Sequence, residues 1–390
     1  MKKNVIGFIF GGNSAENEVS VVTTLGLDKL MKGVSNFSPE YIYMSRENKF
    51  FYIKRTEMNV NTFKTGDYLK KENEILILHG GDVILKNRKI KKKLFHLSAC
   101  INCCHGGAGE DGALAGFMNV LSVPFSTFSH TALGIAMDKN LFKLVVKSIG
   151  ILSAKWVHFS RNDWDNNKSE IINKISPLKF PLIVKPNASG SSLGINIARN
   201  LDELNSMIDI AFEFDNSIIV EKLIENKTEF NCAVIGNKNE IIVSDVDQIE
   251  EKGEMFSFQD KYIGNSKDKP VKNVSSRGKK MGGGMESAKR LLPAPISNNL
   301  KDKIQETSAK IFKTLGLSGV VRIDFLYDNS KKKLYVGEVN AVPGSLALYF
   351  FKNSKIGVLG VINKLINIAK NSSENNVSVN EKFIPKIFRN

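Results

Sequence analysis

The chain has 390 residues, 42% hydrophobic and 24% charged, which is the balance of a globular protein too long for one core, so two or three domains are expected. It contains no apolar run of about eighteen residues, so no membrane-spanning helix is expected. A formal charge of +15 raises the question of nucleic-acid binding, yet no helix-turn-helix, zinc finger or aromatic-interleaved basic motif accompanies it.

From the start of the chain, Val5–Phe10 is a compact apolar segment. It is too short for the apolar part of a signal peptide and runs into Gly11-Gly12, so it reads as a first β-strand. A glycine turn leads into a helix-like stretch from about Val19 to Met31. Such a turn offers backbone N–H groups to an anion, and the carboxylates of Glu16 and Glu18 beside it suit a substrate ammonium. Between Leu30 and Leu97 the pattern is irregular and predicts a hairpin-rich insertion; its Lys86–Lys93 run reads as a solvated face.

Ala99–Cys104 is a second apolar strand and Val123–Ser126 a short third, giving a Rossmann-like first domain. The cysteines Cys100, Cys103 and Cys104, followed by His105, bring zinc to mind, but no second Cys/His pair completes a tetrahedral set, so these and Cys232 are expected in the core. His105-Gly106-Gly107-Ala108-Gly109-Glu110-Asp111-Gly112 then puts four glycines and three ionisable side chains in one loop, a pattern that favours a ligand site.

Leu141–Ser148 predicts a helix stopped by Gly150. Pro181–Pro186 predicts a strand, Gly190–Gly194 a loop of small residues, Ile195–Ala198 a returning strand and Ile218–Leu223 another. Between the last two, Asn200 and Glu203 open a helix in a capping-box pattern. Lys139 and Lys185, with that small-residue loop, supply the cations and N–H groups a triphosphate needs, although no Walker A motif is present. Four more strands are predicted at Phe230–Ile235, Glu240–Val246, Val320–Tyr327 and Lys333–Asn340, with a helix over Asn299–Leu315 closed by Gly316. Residues 251–297 are polar, lysine-rich and aperiodic, as a lid would be. Alternation along a strand puts Arg322 with Asp324, and Glu338 with Asn340, on common faces, where Asp, Glu and Asn oxygens suit Mg2+ beside phosphates.

These pieces in this order resemble the D-alanine–D-alanine ligase family over nearly the whole chain: Gly11–Ser20, His105–Gly112, Met137–Lys139, Val184–Gly194, Val220–Lys222 with Thr228-Glu229-Phe230, Lys261-Tyr262, Arg322–Asp324 and Glu338–Gly344. The resemblance implies an α/β, three-domain ATP-grasp fold: a Rossmann-like domain over 1–138, a central subdomain over 139–222 and a C-terminal domain over 223–390 carrying the lid. It implies that Glu16 holds the first D-amino acid's ammonium, tied through Ser191 to Tyr262. Lys139, Lys185 and Ser192 would meet ATP phosphates; Glu221, Lys222 and Leu223 would line the adenine pocket and Glu229 would reach the ribose. Asp324, Glu338 and Asn340 would ligate two Mg2+ ions, with Mn2+ as an alternative. Arg322 and the Gly344 N–H would stabilise an oxyanion, Lys261 would face the second substrate's carboxylate and His105 would lie near the substrates. The family's setting implies a cytoplasmic enzyme of peptidoglycan precursor synthesis, acting on small amino acids without nucleic acid or membrane, and often dimeric.

Three departures stand out. Tyr349 occupies the place of a serine that helps hold the second substrate's carboxylate, Ser189 replaces a common acidic residue in the phosphate loop, and the lid is unusually long and basic. They leave open whether the second substrate is D-alanine, D-serine or another amino acid. The rival of a different class, a basic nucleotide- or nucleic-acid-binding protein without turnover, is disfavoured by intact Lys139, Lys185, Arg322, Asp324, Glu338 and Asn340.

Overall fold

A computed structural model describes residues 4–33, 36–87, 93–190, 193–249 and 290–372. The first strand, β1 (Asn4–Gly11), is followed by α1 (Asn17–Leu30) and then by β2 (Phe37–Met44), β3 (Phe50–Ile53), α2 (Val60–Thr65), β4 (Glu74–Ile77), β5 (Asp82–Leu85), β6 (Lys93–His96) and β7 (Ala99–Asn102). These strands form one seven-stranded sheet in the order β6-β5-β4-β3-β2-β1-β7. The irregular stretch is hairpin-rich, as its pattern predicts, and its strands extend the same sheet. β2 runs parallel to β1, and β3 to β6 continue outward as an antiparallel meander. Val123–Ser126 forms no strand, since only Phe125 bridges to Cys100.

Helices α3 (Ala113–Val120), α4 (His130–Met137) and α5 (Lys139–Ser148) lead to a second sheet. It contains β8 (Trp156–Ser160), β9 (Leu182–Pro186), β10 (Asn196–Ala198) and β11 (Ser217–Lys222), in the order β10-β9-β11-β8, with α6 (Arg161–Ile175) and α7 (Leu201–Ala211) between strands. Asn200 caps α7 as its sequence pattern predicts, accepting from the Glu203 N–H at 2.9 Å. This sheet has its own core of Phe159, Trp164, Val184, Ile208 and Val220.

The third sheet has the order β14-β13-β12-β15-β16, from β12 (Lys227–Gly236), β13 (Ile241–Ile249), β14 (Arg290–Leu291), β15 (Gly319–Asp328) and β16 (Lys333–Asn340). Helix α8 (Asn298–Leu315) is capped by Ser297 and ends on Gly316 in the left-handed region. Helix α9 (Gly357–Lys370) packs against both β7 and β12, so the first and third sheets share a core that includes Phe8, Ile101, Ala233, Val320, Val361 and Leu365. The predicted irregular segment 251–297 is described only from residue 290, and there Arg290 and Leu291 pair with Ile249 and Gln248. All four cysteines are free and buried.

Candidate active site

Parallel pairing of β1 with β7 brings the loops after both strands together. Gly11 needs its φ of 96°, and a Cβ there would collide with the Met44 carbonyl oxygen. The turn delivers Glu16 to the N-cap of α1, where it is buried. Its carboxylate lies against two glycine backbones: a Cβ on Gly106 or on Gly190 would stand 2.8 Å from Glu16 Oε2. Thus the first-strand loop, the His105 loop and the phosphate loop meet at one carboxylate.

His105 is wholly enclosed. Its Nδ1 lies 2.6 Å from the Val342 carbonyl and its Nε2 2.8 Å from Thr23 Oγ1. A carbonyl can only accept, so Nδ1 carries the proton and Nε2 accepts from the Thr23 hydroxyl, which in turn accepts from the Ser345 N–H at 3.2 Å. Burial lowers the imidazole's pKa, against the opposing pull of Glu16, so the ring is neutral. Glu110, in the same loop, accepts from the N–H groups of Gly106 and Val342, each at 2.8 Å. Burial, reinforced by Glu16, pushes its carboxyl up to about 8.

On the second sheet, Asp138 caps α5 and sets Lys139 in its first turn. Lys139 donates to the Ser189 carbonyl at 2.6 Å. Lys185 Nζ and Lys143 Nζ lie 3.1 and 3.3 Å from the same atom, Glu221 Oε2. Burial opposes ionisation of Glu221, yet the two ammonium groups hold its carboxyl below the usual range. Two lysines therefore share one carboxylate, with Lys139 within its field, so positive charge exceeds negative and the cluster favours an added anion. Lys139 also feels the charge of Glu338, which brings this cluster within electrostatic reach of the third sheet.

There, strand register aligns a polar row: Asp247 opposite Asn231, Asn231 opposite Asp324, and Asp324 opposite Glu338. Arg322, opposite Asn340, gives a two-pronged bond to Asp324 through Nε at 2.6 Å and Nη2 at 2.8 Å. Although burial works against its charge, Asp324 keeps the guanidinium protonated. Asn340 donates its Nδ2 to Asp324 Oδ2 at 3.0 Å, leaving its own carbonyl oxygen as an acceptor. Beyond Gly344, the residues Ser345, Leu346 and Ala347 all have left-handed φ, between 48° and 52°. Three consecutive non-glycine residues in that region form a short left-handed turn, a strained arrangement that a functional site can retain.

After that turn comes Tyr349, whose hydroxyl is buried without a hydrogen-bond partner among the described residues. The Arg290 guanidinium lies over its ring at 5.2 Å and pairs with the buried Asp247 carboxylate, whose Oδ1 is otherwise unsatisfied. Burial pushes the Tyr349 hydroxyl up to about 12.

The structure thus brings together Glu16 with His105, Lys139 with Lys185 and Glu221, and Arg322 with Asp324, Asn340 and Glu338. It gives other site candidates local partners: Glu229 pairs with Lys227, and Lys222 Nζ donates to the carbonyls of Lys179, Phe180 and Pro181. Leu223 is half-buried. Ser191, Ser192, Lys261 and Tyr262 lie outside the described residues. Sequence reasoning missed Lys143, Thr23, Asp247 and Arg290 as site residues and gave Glu110 no role. Lys143 lies on the predicted Leu141–Ser148 helix, and its i+4 relation to Lys139 emerges because the helix in fact starts at Lys139. Arg290 was hidden in a basic cluster that counted only toward net charge.

Two antiparallel sheets bearing a lysine cluster and a carboxylate–amide pair, set beside the Glu16 and His105 loops of a third, define a nucleotide-dependent ligase of the ATP-grasp class. The D-ala D-ala ligase N-terminus model matches residues 5–127 and the C-terminus model residues 145–366. A D-alanine–D-alanine ligase of Campylobacter jejuni subsp. doylei is 32% identical over 346 residues, 88% of each chain. Among solved structures, the VanG D-Ala:D-Ser ligase from Enterococcus faecalis superposes with a TM-score of 0.75 at 27% identity, covering 94% of this chain and 100% of that one. The D-alanine–D-alanine ligase from Helicobacter pylori does so at 0.71 and 26%, covering 93% and 98%. The chain belongs to the D-alanine–D-alanine ligase family.

Proposed function

We propose that this chain is an ATP- and Mg2+-dependent ligase that joins two D-amino acids, with D-alanine in both positions as the favoured pair, to supply peptidoglycan precursors in the cytoplasm. The observation that carries this reading is the alignment of Arg322, Asp324, Glu338 and Asn340 on adjacent strands within the field of Lys139. Three domains, 1–138, 139–222 and 223–390, would divide the work, and a homodimer is the assembly we expect.

Metal binding fits the donor set. Asp324, Glu338 and the Asn340 carbonyl are hard oxygens on one sheet edge, and phosphate oxygens would complete the shell. Among the described residues no group of three or more His, Cys, Asp or Glu side chains is placed to hold an ion, so the amide and the nucleotide have to contribute. Bound there, the two Mg2+ ions of this reading, or Mn2+ in their place, supply charge neutralisation at the phosphates.

In the reaction, the first substrate's carboxylate attacks the terminal phosphoryl group, and the second substrate's amine then displaces phosphate from the acyl phosphate. Glu16 holds the first ammonium against the Gly106 and Gly190 backbones, with Ser191 and Tyr262 completing its tie. Neutral His105 offers no competing charge there, and its bonds to Thr23 and Val342 fix the segment entering Gly344. Lys139, Lys185 and Ser192 meet the phosphates. Glu221, Lys222, Leu223 and Glu229 line the nucleoside end. Arg322 and the Gly344 N–H face the developing oxyanion. Lys261 and Tyr349 hold the second substrate, and the segment 251–297 would exclude water from the acyl phosphate as a lid.

One observation favours a second reading, with D-serine as acceptor: two unsatisfied buried polar atoms, Asp247 Oδ1 and Tyr349 Oη, flank Arg290. A side-chain hydroxyl can satisfy such atoms and a methyl group cannot. Phosphate release from MgATP across a panel of D- and L-amino acids and D-lactate, with products identified by mass, separates the two. D-alanyl-D-alanine as sole product supports the first reading, D-alanyl-D-serine the second, and no turnover overturns both.

A further inference from the structure

Lys143 has no part in the reading above, yet it is 1% exposed and inside the nucleotide end of the site. Its ammonium lies 3.3 Å from Glu221 Oε2, 3.4 Å from the Ala154 carbonyl and 5.4 Å from the centre of the Trp156 ring. Trp156 is itself held by a bond from Nε1 to Asn140 Oδ1 at 2.9 Å. Thus walled in, Lys143 faces Glu221 and no open space. Lys185 differs: its side chain is 17% exposed and shares the same carboxylate oxygen at 3.1 Å.

Resting on the reading that Lys185 meets the nucleotide phosphates, we propose that Lys143 is a positioning residue that lets Lys185 leave Glu221. When a polyphosphate draws Lys185 away, Glu221 is left buried, and a buried carboxylate stripped of its counter-ion is strongly disfavoured. Lys143 stays behind as the fixed counter-ion, so the transfer of Lys185 from carboxylate to phosphate leaves no bare charge. Without Lys143, Glu221 would retain Lys185 and compete with the nucleotide for it.

The test is calorimetric titration with MgATP of the full-length wild type, Lys143→Met, Glu221→Gln and the double variant, with KM for ATP and for the amino acids measured alongside. Lys143→Met is expected to weaken MgATP about a hundredfold, from the cost of stranding a buried charge, and to leave amino-acid KM within about twofold. In the Glu221→Gln background, where no carboxylate remains to retain Lys185, the same substitution should change affinity by less than about threefold. That second comparison still decides the matter if Lys143→Met alone does not fold. Unchanged affinity in Lys143→Met overturns the proposal, and so does a hundredfold loss that persists in the Glu221→Gln background. A wild type that does not bind MgATP at millimolar concentration instead removes the nucleotide reading itself.

Discussion

Glu110 Oε1 accepts a hydrogen bond from the Val342 N–H at 2.8 Å, joining a loop of the first sheet to the segment that enters Gly344. Its other oxygen holds the Gly106 N–H, so a single carboxyl group ties both walls of the proposed amino-acid pocket.

The protonation of that group gives the first prediction. A carboxyl whose folded pKa is raised to about 8 contributes stability that is present below its unfolded value and lost as pH rises through 8. Thermal stability should therefore fall between pH 4.5 and about 8, the ordinary and folded values, more in the wild type than in Glu110→Gln, which does not titrate and keeps one of the two acceptor oxygens. Parallel Tm curves for the two proteins would remove Glu110 from the pH response.

Glu338→Gln keeps the size of the side chain and removes one anionic metal donor. Turnover should fall by about a thousandfold, the scale of losing a charged group at a transition state, while far-UV circular dichroism and Tm stay near wild type. Wild-type-like turnover would displace Glu338 from the metal site.

At Tyr349, truncation to alanine should raise the second substrate's KM about tenfold or more, the worth of one buried hydrogen bond plus packing. KM for ATP should stay within about twofold, because the charges that act on Tyr349 are Arg290, Arg322, Asp247 and Asp324, with none of the lysine cluster among them. Equal shifts in both constants would place the tyrosine elsewhere in the cycle.

Glycine removes the cost of left-handed backbone, so Ser345→Gly should stabilise the protein by about 1 kcal/mol, whereas Ser345→Val should destabilise it by about 1–2 kcal/mol. Differential scanning fluorimetry reads both, and a loss of stability with glycine would mean that the serine side chain outweighs the strain.

Much of this architecture was legible before any coordinates. Strand alternation predicted that Arg322 shares a face with Asp324, and the structure joins them by two bonds. Gly150 and Gly316 stop helices where a left-handed residue is needed. What escaped was short or non-local. The β3 to β6 stretch read only as hairpin-rich, because four-residue strands are too short for alternation to fix their bounds or register. The Asp247–Asn231–Asp324–Glu338 row depends on the pairing of four strands, which no single segment encodes. Glu110 showed a glycine-rich loop in sequence, but its burial between two backbone donors appears only when Val342 arrives from 232 residues away.

The left-handed turn at Ser345–Ala347 also constrains how this pocket can change over time. Its three residues set the backbone exit from Gly344 into a 3-10 segment, so adding or deleting one residue would swing position 349 by about a third of a turn. Length variation is thereby closed off, and an altered appetite for the acceptor has to come through exchange of side chains at positions such as 349 and 290. The Gly344 N–H, which we propose faces the oxyanion, stays where it is while the neighbouring side chains change, so chemistry and choice of substrate would be free to evolve at separate rates.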